Sequence, residues 1–148
     1  MSLKQKISDD MKSAMRAKDE IRLSTIRMLM AAIKQKEIDE RIELDDSKIV
    51  AIVNKLVKQR QDSVTQFQQA SRHDLAERES HEINVLTAYL PEQLSHAAIM
   101  QAIEQAIAQS GAQNLQELGK AMSLLKQTLA GRADMAQVSA LLKARLTA

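Results

Sequence analysis

His73, Glu77 and His81 return every four residues, which sets two imidazoles and a carboxylate on one helical face, and these are residue types that hold zinc. A zinc-protease helix places its two histidines four apart with the acid directly after the first. Here the histidines are eight apart with the acid midway, so the set reads as a solvated polar face and no metal site is expected. His96 stands outside this set, in the first turn of a later helix. The pairs Asp9–Asp10 and Asp45–Asp46 read first as helix-start residues, since an acid and a base must oppose each other across a cleft. Ser63, Ser71 and Ser80 have histidines and acids nearby in sequence, yet none sits in a GxSxG elbow. With no cysteine, thiol nucleophiles, thiolate ligands and disulfides are excluded. The expectation is a chain with no catalytic centre, no metal and no cofactor.

Charge offers a different kind of chemistry. Between positions 120 and 148 stand Lys120, Lys126, Arg132, Lys143 and Arg145 against the single acid Asp134, a local charge of +4. Such side chains neutralise phosphate oxygens without reacting with them, and they are the candidate nucleic-acid contacts. Lys143 and Arg145 lie about 200° apart around a helix, so a shared basic site requires tertiary convergence around Gly119, Lys120 and the 131–134 turn. Lys120 and Arg132 bring charge there, and N–H groups near Met135 bring a helix start, although Asp134 as a cap competes for the same N–H groups. Gly119 lies inside a helical pattern at a cost of about 1 kcal/mol relative to alanine, which points to a helix crossing or to a bound partner that uses the missing side chain. Gly131 marks a turn. GKAMS and GRAD lack the glycine-rich cradle of a nucleotide-binding loop. Lys120, Leu124 and Gln127 are expected to face outward, opposite a core stripe from Leu115 to Leu129.

A second polar group lies earlier in the chain. Arg60, Asp62, Arg72, Asp74, Glu79 and Glu82 are expected to form interhelical ion pairs where two long helices turn back on each other.

The elements that position these residues follow from composition and periodicity. The 148-residue chain is rich in Leu, Ile, Met and Ala, with only Phe67 and Tyr89 as aromatics, three glycines and one proline, which favours helix and starves sheet turns. An all-α fold is expected. Apolar stripes predict helices over 3–17, 20–38, 48–69 and 72–89, and then, past Pro91, shorter ones over 95–109, 115–129 and 135–146. The first apolar stripe includes Met15, and the segment 39–46 carries no sustained stripe. The capping residues Ser95, Asn114 and Asp134 open the last three helices, the latter two with Glu117 and Gln137 in capping-box positions. The boundary predicts two domains, a four-helix part over 1–90 and a small three-helix part over 91–148. Formal charge is +2, with +1 in each part, which excludes an ordinary polybasic nucleic-acid binder. No stretch approaches the roughly 20 apolar residues of a membrane span. With no cysteine and a charged start, a soluble, cytoplasmic protein is expected.

The run KQRQDSVTQFQQASRHDLAERESHEINVLTAYLPEQL, followed by GAQNLQELGKAMSLLKQTLAGRAD and VSALLKARL, resembles the YqeY-like family of GatB/YqeY domain proteins, as does TIRMLMAAIKQKEI near the start. The resemblance covers nearly the whole chain. It implies an all-helical protein whose second part is similar to the tail of the B subunit of glutamine-dependent tRNA amidotransferases, where the tail contacts tRNA and the chemistry resides elsewhere. Matching family positions are Arg27, Arg60, Asp62, Ser63, Arg72, Asp74, Glu79 and Glu82, then Gly119, Lys120, Gly131, Arg132, Ala133 and Asp134. Met135 stands where the family pattern has glycine, and Ala121 where it commonly has valine.

The resemblance implies a noncatalytic accessory or adaptor that binds tRNA, or a tRNA-charging or amidotransferase protein, with no DNA-specific contact. One alternative is a helical protein–protein interaction module without RNA binding. Another is a component associated with carbon–nitrogen ligase activity with glutamine as amido-N-donor. The boundary at Pro91 makes one physical prediction: a fragment from about position 93 onward folds alone as three helices. Limited proteolysis and separate expression check it, and two disordered fragments from a folded whole would refute it.

Overall fold

The computed structural model describes residues 2–147, so Met1 and Ala148, the outer ends of the two expected domains, lie outside the described residues. The fold is all-α, with α1 (Leu3–Ala17), α2 (Glu20–Glu40), α3 (Asp46–Gln69), α4 (His73–Thr87), α5 (His96–Ser110), α6 (Leu118–Leu129) and α7 (Met135–Thr147). A single 3-10 turn, Leu115–Glu117, precedes α6. The helices fall into two groups, α1–α4 within Met1–Leu90 and α5–α7 within Pro91–Ala148.

In the first group the starts of α1, α2 and α3 are made by short polar side chains that satisfy orphan N–H groups. Ser2 accepts from Gln5 N, Asp19 from Arg22 N and Asp45 from Lys48 N. The stops are left-handed residues, Lys18 at φ 56° and Arg41 at φ 55°, and a third, Ser71 at φ 58°, makes the α3–α4 turn. The core that results contains Ile7, Ile26, Leu29, Ile33, Ile49, Val53, Val57 and Leu86. Met15, expected on the core stripe, is exposed, because Ala14 beside it takes the contact. Leu44, in the stretch without periodicity, is buried. Its backbone N–H donates to Glu37 Oε2 at 2.9 Å, and the same carboxylate receives Lys4 Nζ at 2.8 Å, so the α2–α3 loop is tied to both α1 and α2. The Lys4 ammonium and the Leu44 N–H hold the Glu37 carboxyl below the usual glutamate range.

Two further polar contacts cross this core. Arg60 is buried on α3, with Nε 3.2 Å from Glu82 Oε2 on α4, Nη1 3.1 Å from the Leu56 carbonyl, and Nη2 3.0 Å from Met28 Sδ on α2. Tyr89 donates its hydroxyl to Asp10 Oδ2 at 2.7 Å, with Arg22 3.8 Å from the other carboxylate oxygen and the Lys6 ammonium 5.7 Å from the ring centre. Burial first, then the Asp10 carboxylate, pushes the Tyr89 phenol well above its ordinary value. It therefore acts as a neutral donor.

In the second group Ser95 accepts from Ala98 N and Gly111 closes α5 at φ 72°. The core joins Ile99, Ile103 and Ala106 of α5 to Ala121, Leu125 and Leu129 of α6 and Val138 and Leu142 of α7. The expected single helix over 115–129 is broken by the 3-10 turn, and the tighter winding changes its phase. Leu115 is consequently half exposed, whereas Leu124, expected to face water, packs against the core. Asn114 accepts from Gln116 N and Asp134 from Ala136 N, each a one-sided cap.

Two outcomes follow from these contacts. Glu82→Ala strands the buried Arg60 guanidinium and is expected to destabilise the protein by about 3 kcal/mol. Disruption of the exposed Arg72–Asp74 pair by Asp74→Ala should leave the urea midpoint unchanged, and equal effects would refute the assignment. Glu37, with its folded pKa depressed, adds stability that is present above the ordinary glutamate value of about 4.3 and lost as pH falls through the folded value. Melting scans from pH 6 to pH 3 should therefore show a shallower acid decline in Glu37→Gln than in the native chain.

Candidate functional site

The basic residues of the second group occupy four different settings. Lys126 on α6 and Lys143 on α7 are exposed and have no ion-pair partner among the described residues. Lys120, also exposed, stands 3.8 Å from Glu117 Oε2, a long pair that water screens. Arg145 is held by Glu104 of α5 through both Nε and Nη2, the latter at 3.2 Å. Helix packing brings Glu104 to Arg145, and the turn before α6 brings Glu117 to Lys120, so both acids meet residues that the local count from 120 onward treated as unopposed.

Arg132 has a structural task. The α6–α7 turn runs through Gly131 at φ 76°, a left-handed conformation that glycine adopts without a Cβ clash. The turn's outward carbonyls are both taken by the segment after Pro91: Gln93 Nε2 donates to Gly131 O at 2.8 Å, and Leu94 N donates to Arg132 O at 2.9 Å. Arg132 Nε returns the contact to Glu92 O at 3.4 Å. The PEQL and GRAD stretches therefore form one hydrogen-bonded clasp within the second group. Asp134 accepts from Ala136 N at 3.0 Å, so it uses an N–H group that a phosphate at the start of α7 needs. Met135, at the position where the resemblance pattern has glycine, is partly buried against the core.

Gly119 is exposed, and a Cβ built on it meets nothing within 4 Å. A helix crossing within the fold is thereby excluded as the reason for this glycine, which leaves bare backbone on the surface one residue before Lys120.

The six polar residues of the first group do not form one cluster. Arg60 and Glu82 meet in the interior, and Arg78 approaches the second Glu82 oxygen at 3.9 Å. Arg72 and Asp74 pair with each other at 3.2 Å on the surface at the start of α4, where each raises or lowers the other's pKa in favour of the charged form. Asp62 is exposed and Glu79 half-buried, and neither has an ion-pair partner among the described residues. Arg27 is exposed and Ser63 donates to the Gln59 carbonyl. The surface pair is a local contact two residues apart. The buried pair joins residues 22 positions apart on α3 and α4 and was legible only as opposite charges on adjacent helical patterns.

His73 and His81 are exposed, and among the described residues no three His, Cys, Asp or Glu side chains are grouped to hold a metal ion. No helix among them is long and apolar enough to cross a membrane. What the arrangement can do chemically is present lysine charge beside exposed helix backbone, a combination suited to an anionic partner.

The Yqey-like protein family model matches residues 4–146. Among curated proteins, the chain is similar to altered inheritance of mitochondria protein 41, mitochondrial, of Lachancea thermotolerans, at 44% identity over 85 residues, 57% of this chain and 46% of that protein. The Kluyveromyces lactis protein of that name is 42% identical over 84 residues, 56% of this chain and 45% of its own length. The one from Saccharomyces cerevisiae strain YJM789 is 35% identical over 85 residues, 57% and 46% of the two chains. The matches span a little under half the length of these relatives. Their names place them in mitochondria, which overturns the expectation of a cytoplasmic location. An absence of cysteine and a charged surface describe how a chain folds and stays dissolved, and neither encodes an address. By the match that runs almost from end to end, this chain belongs to the family of Yqey-like proteins.

Proposed function

We propose that the chain is a noncatalytic RNA-binding accessory protein, that its second helical group is the contact part, and that tRNA is the partner. The observation that carries this reading is the set Lys120, Lys126 and Lys143, all exposed on α6 and α7, with the bare backbone of Gly119 beside the first. The resemblance to an amidotransferase tail supports tRNA over other polyanions. The contact uses charge and not base reading. Lysine ammonium groups are hydrated point charges that position a phosphate backbone without specifying sequence. Arg132 and Arg145 contribute in a different way, by holding the clasp and the α5–α7 contact that present the lysines.

The test is a salt titration of tRNA binding. Each phosphate contact contributes about 0.7 to 0.9 to the slope of log affinity against log salt. The triple substitution Lys120→Glu, Lys126→Glu, Lys143→Glu is expected to weaken binding across tRNA sequences and to make that slope shallower by about 2 to 3, at unchanged helical content. An unrelated RNA of equal length and double-stranded DNA serve as comparison ligands. Equal weak binding of all three by the native chain, indifferent to the substitutions, would refute the reading.

A further inference from the structure

A groove of about 600 Å³ runs between α2 and α3 in the first helical group, far along the sequence from Lys120, Lys126 and Lys143. Its walls carry Lys36 from α2 and Lys48 and Lys55 from α3, over a floor that includes Ala51, Ile52 and Leu56. Lys36 is paired with Glu40 at 3.2 Å. Lys48 and Lys55 are exposed and have no ion-pair partner among the described residues. Seven residues separate them, two helical turns, so both ammonium groups project along the same side of α3 at a spacing of about 10 Å.

Three lysines against one glutamate leave the groove positive, while the first group as a whole is close to neutral. The occupant follows from what the floor lacks. A docked amphipathic helix takes most of its affinity from large apolar anchors. The large exposed hydrophobic side chains among the described residues are Met15, Met28, Ile38, Ile42 and Leu115, and none of them lines this groove. Ile52 and Leu56 are partly buried and packed against the core, so the floor presents no fully exposed large anchor for a partner helix. Nor does the floor hold an aromatic ring on which a base could stack. Its three lysines favour an anionic partner.

We propose that the α2–α3 groove is a second RNA contact, in which Lys48 and Lys55, assisted by Lys36, seat the phosphate backbone of the same RNA molecule without reading its sequence. The inference rests on the RNA-binding reading and extends it to the other helical group. It gives the first group a share in affinity and predicts that neither group alone reproduces the salt dependence of the whole chain.

The full chain is titrated with tRNA and with an unrelated RNA of equal length from low to moderate salt, as native protein and as Lys48→Gln/Lys55→Gln. Each lost phosphate contact lowers the salt slope by about 1, so the expected shift is about 2, with the same fold-loss of affinity for both RNAs. The exposed pair Lys12→Gln/Lys34→Gln, outside this groove, is expected to leave the slope in place. If the groove pair leaves the slope unchanged while the α6–α7 triple substitution lowers it, the groove is overturned and the tail contact survives. If the groove pair lowers it and the triple substitution does not, the tail contact fails and the groove stands. Equal shifts from both neutral pairs would overturn the groove in favour of diffuse surface charge, and a native chain that binds neither RNA would overturn both sites. A labelled glutamate-rich amphipathic peptide that binds the native chain, loses binding in the groove pair and leaves RNA affinity indifferent would replace RNA with a protein helix.

Discussion

A guanidinium taken out of water must find an acceptor for its donors, and the first helical group is organised around one that does. Arg60 reaches a carboxylate on α4, a carbonyl on its own helix and the sulfur of Met28 on α2. The Glu82 and Met28 acceptors are in place only when α2, α3 and α4 have packed in register, so the polar contact specifies a geometry that greasy stripes alone would leave degenerate. A buried pair of this kind adds little net stability compared with well-packed hydrophobic residues of the same volume. Its cost when broken is large, and that asymmetry penalises a slipped α3–α4 hairpin. The Tyr89–Asp10 bond does the same for the last residues of this group, fixing them to α1 through a phenol that stays protonated.

The second group solves a different problem. Three short helices bury a small core, and the turn between α6 and α7 leaves backbone carbonyls that need donors. Gln93 and Leu94 supply them, so the stretch after the proline becomes part of the small fold. The left-handed Gly131 makes this possible by aiming successive carbonyls at one strand of chain. Arg132 is thereby accounted for as a member of the clasp, and the charge available to a partner passes to the lysines at 120, 126 and 143.

Family membership and the geometry bear on function at different levels. Membership rests on a match along residues 4–146, and the relatives that share about 85 residues with this chain are named for mitochondria. The charge arrangement bears on the proposed partner: on that reading, lysines dispersed over helical surfaces suit an extended polyanion better than a small phosphate. Long-range attraction of that kind acts over about 10 Å at 0.1 M salt and weakens as salt rises.

Helix identity was legible in the sequence because the apolar residues repeat with a helical period and short polar residues stand at the starts. Ser2, Asp19, Asp45 and Ser95 cap helices by bonds to residues three positions away, a relation contained in local order. The end of α4 ahead of Pro91 was legible because the residue before a proline is pushed out of the helical region. Side chains whose neighbours come from elsewhere were not. Leu44 is buried in a stretch with no periodicity because Glu37 holds its backbone, and Leu115 and Leu124 exchange their expected surroundings because one 3-10 turn rotates the helix that follows. The union of PEQL with GRAD spans about 40 positions, and the capture of Arg145 by Glu104 spans 41. Local sequence determines which backbone conformation is cheap at each position. Which charges remain free is decided by the folded chain, because an ion pair depends on distance in space and a count along the sequence contains none.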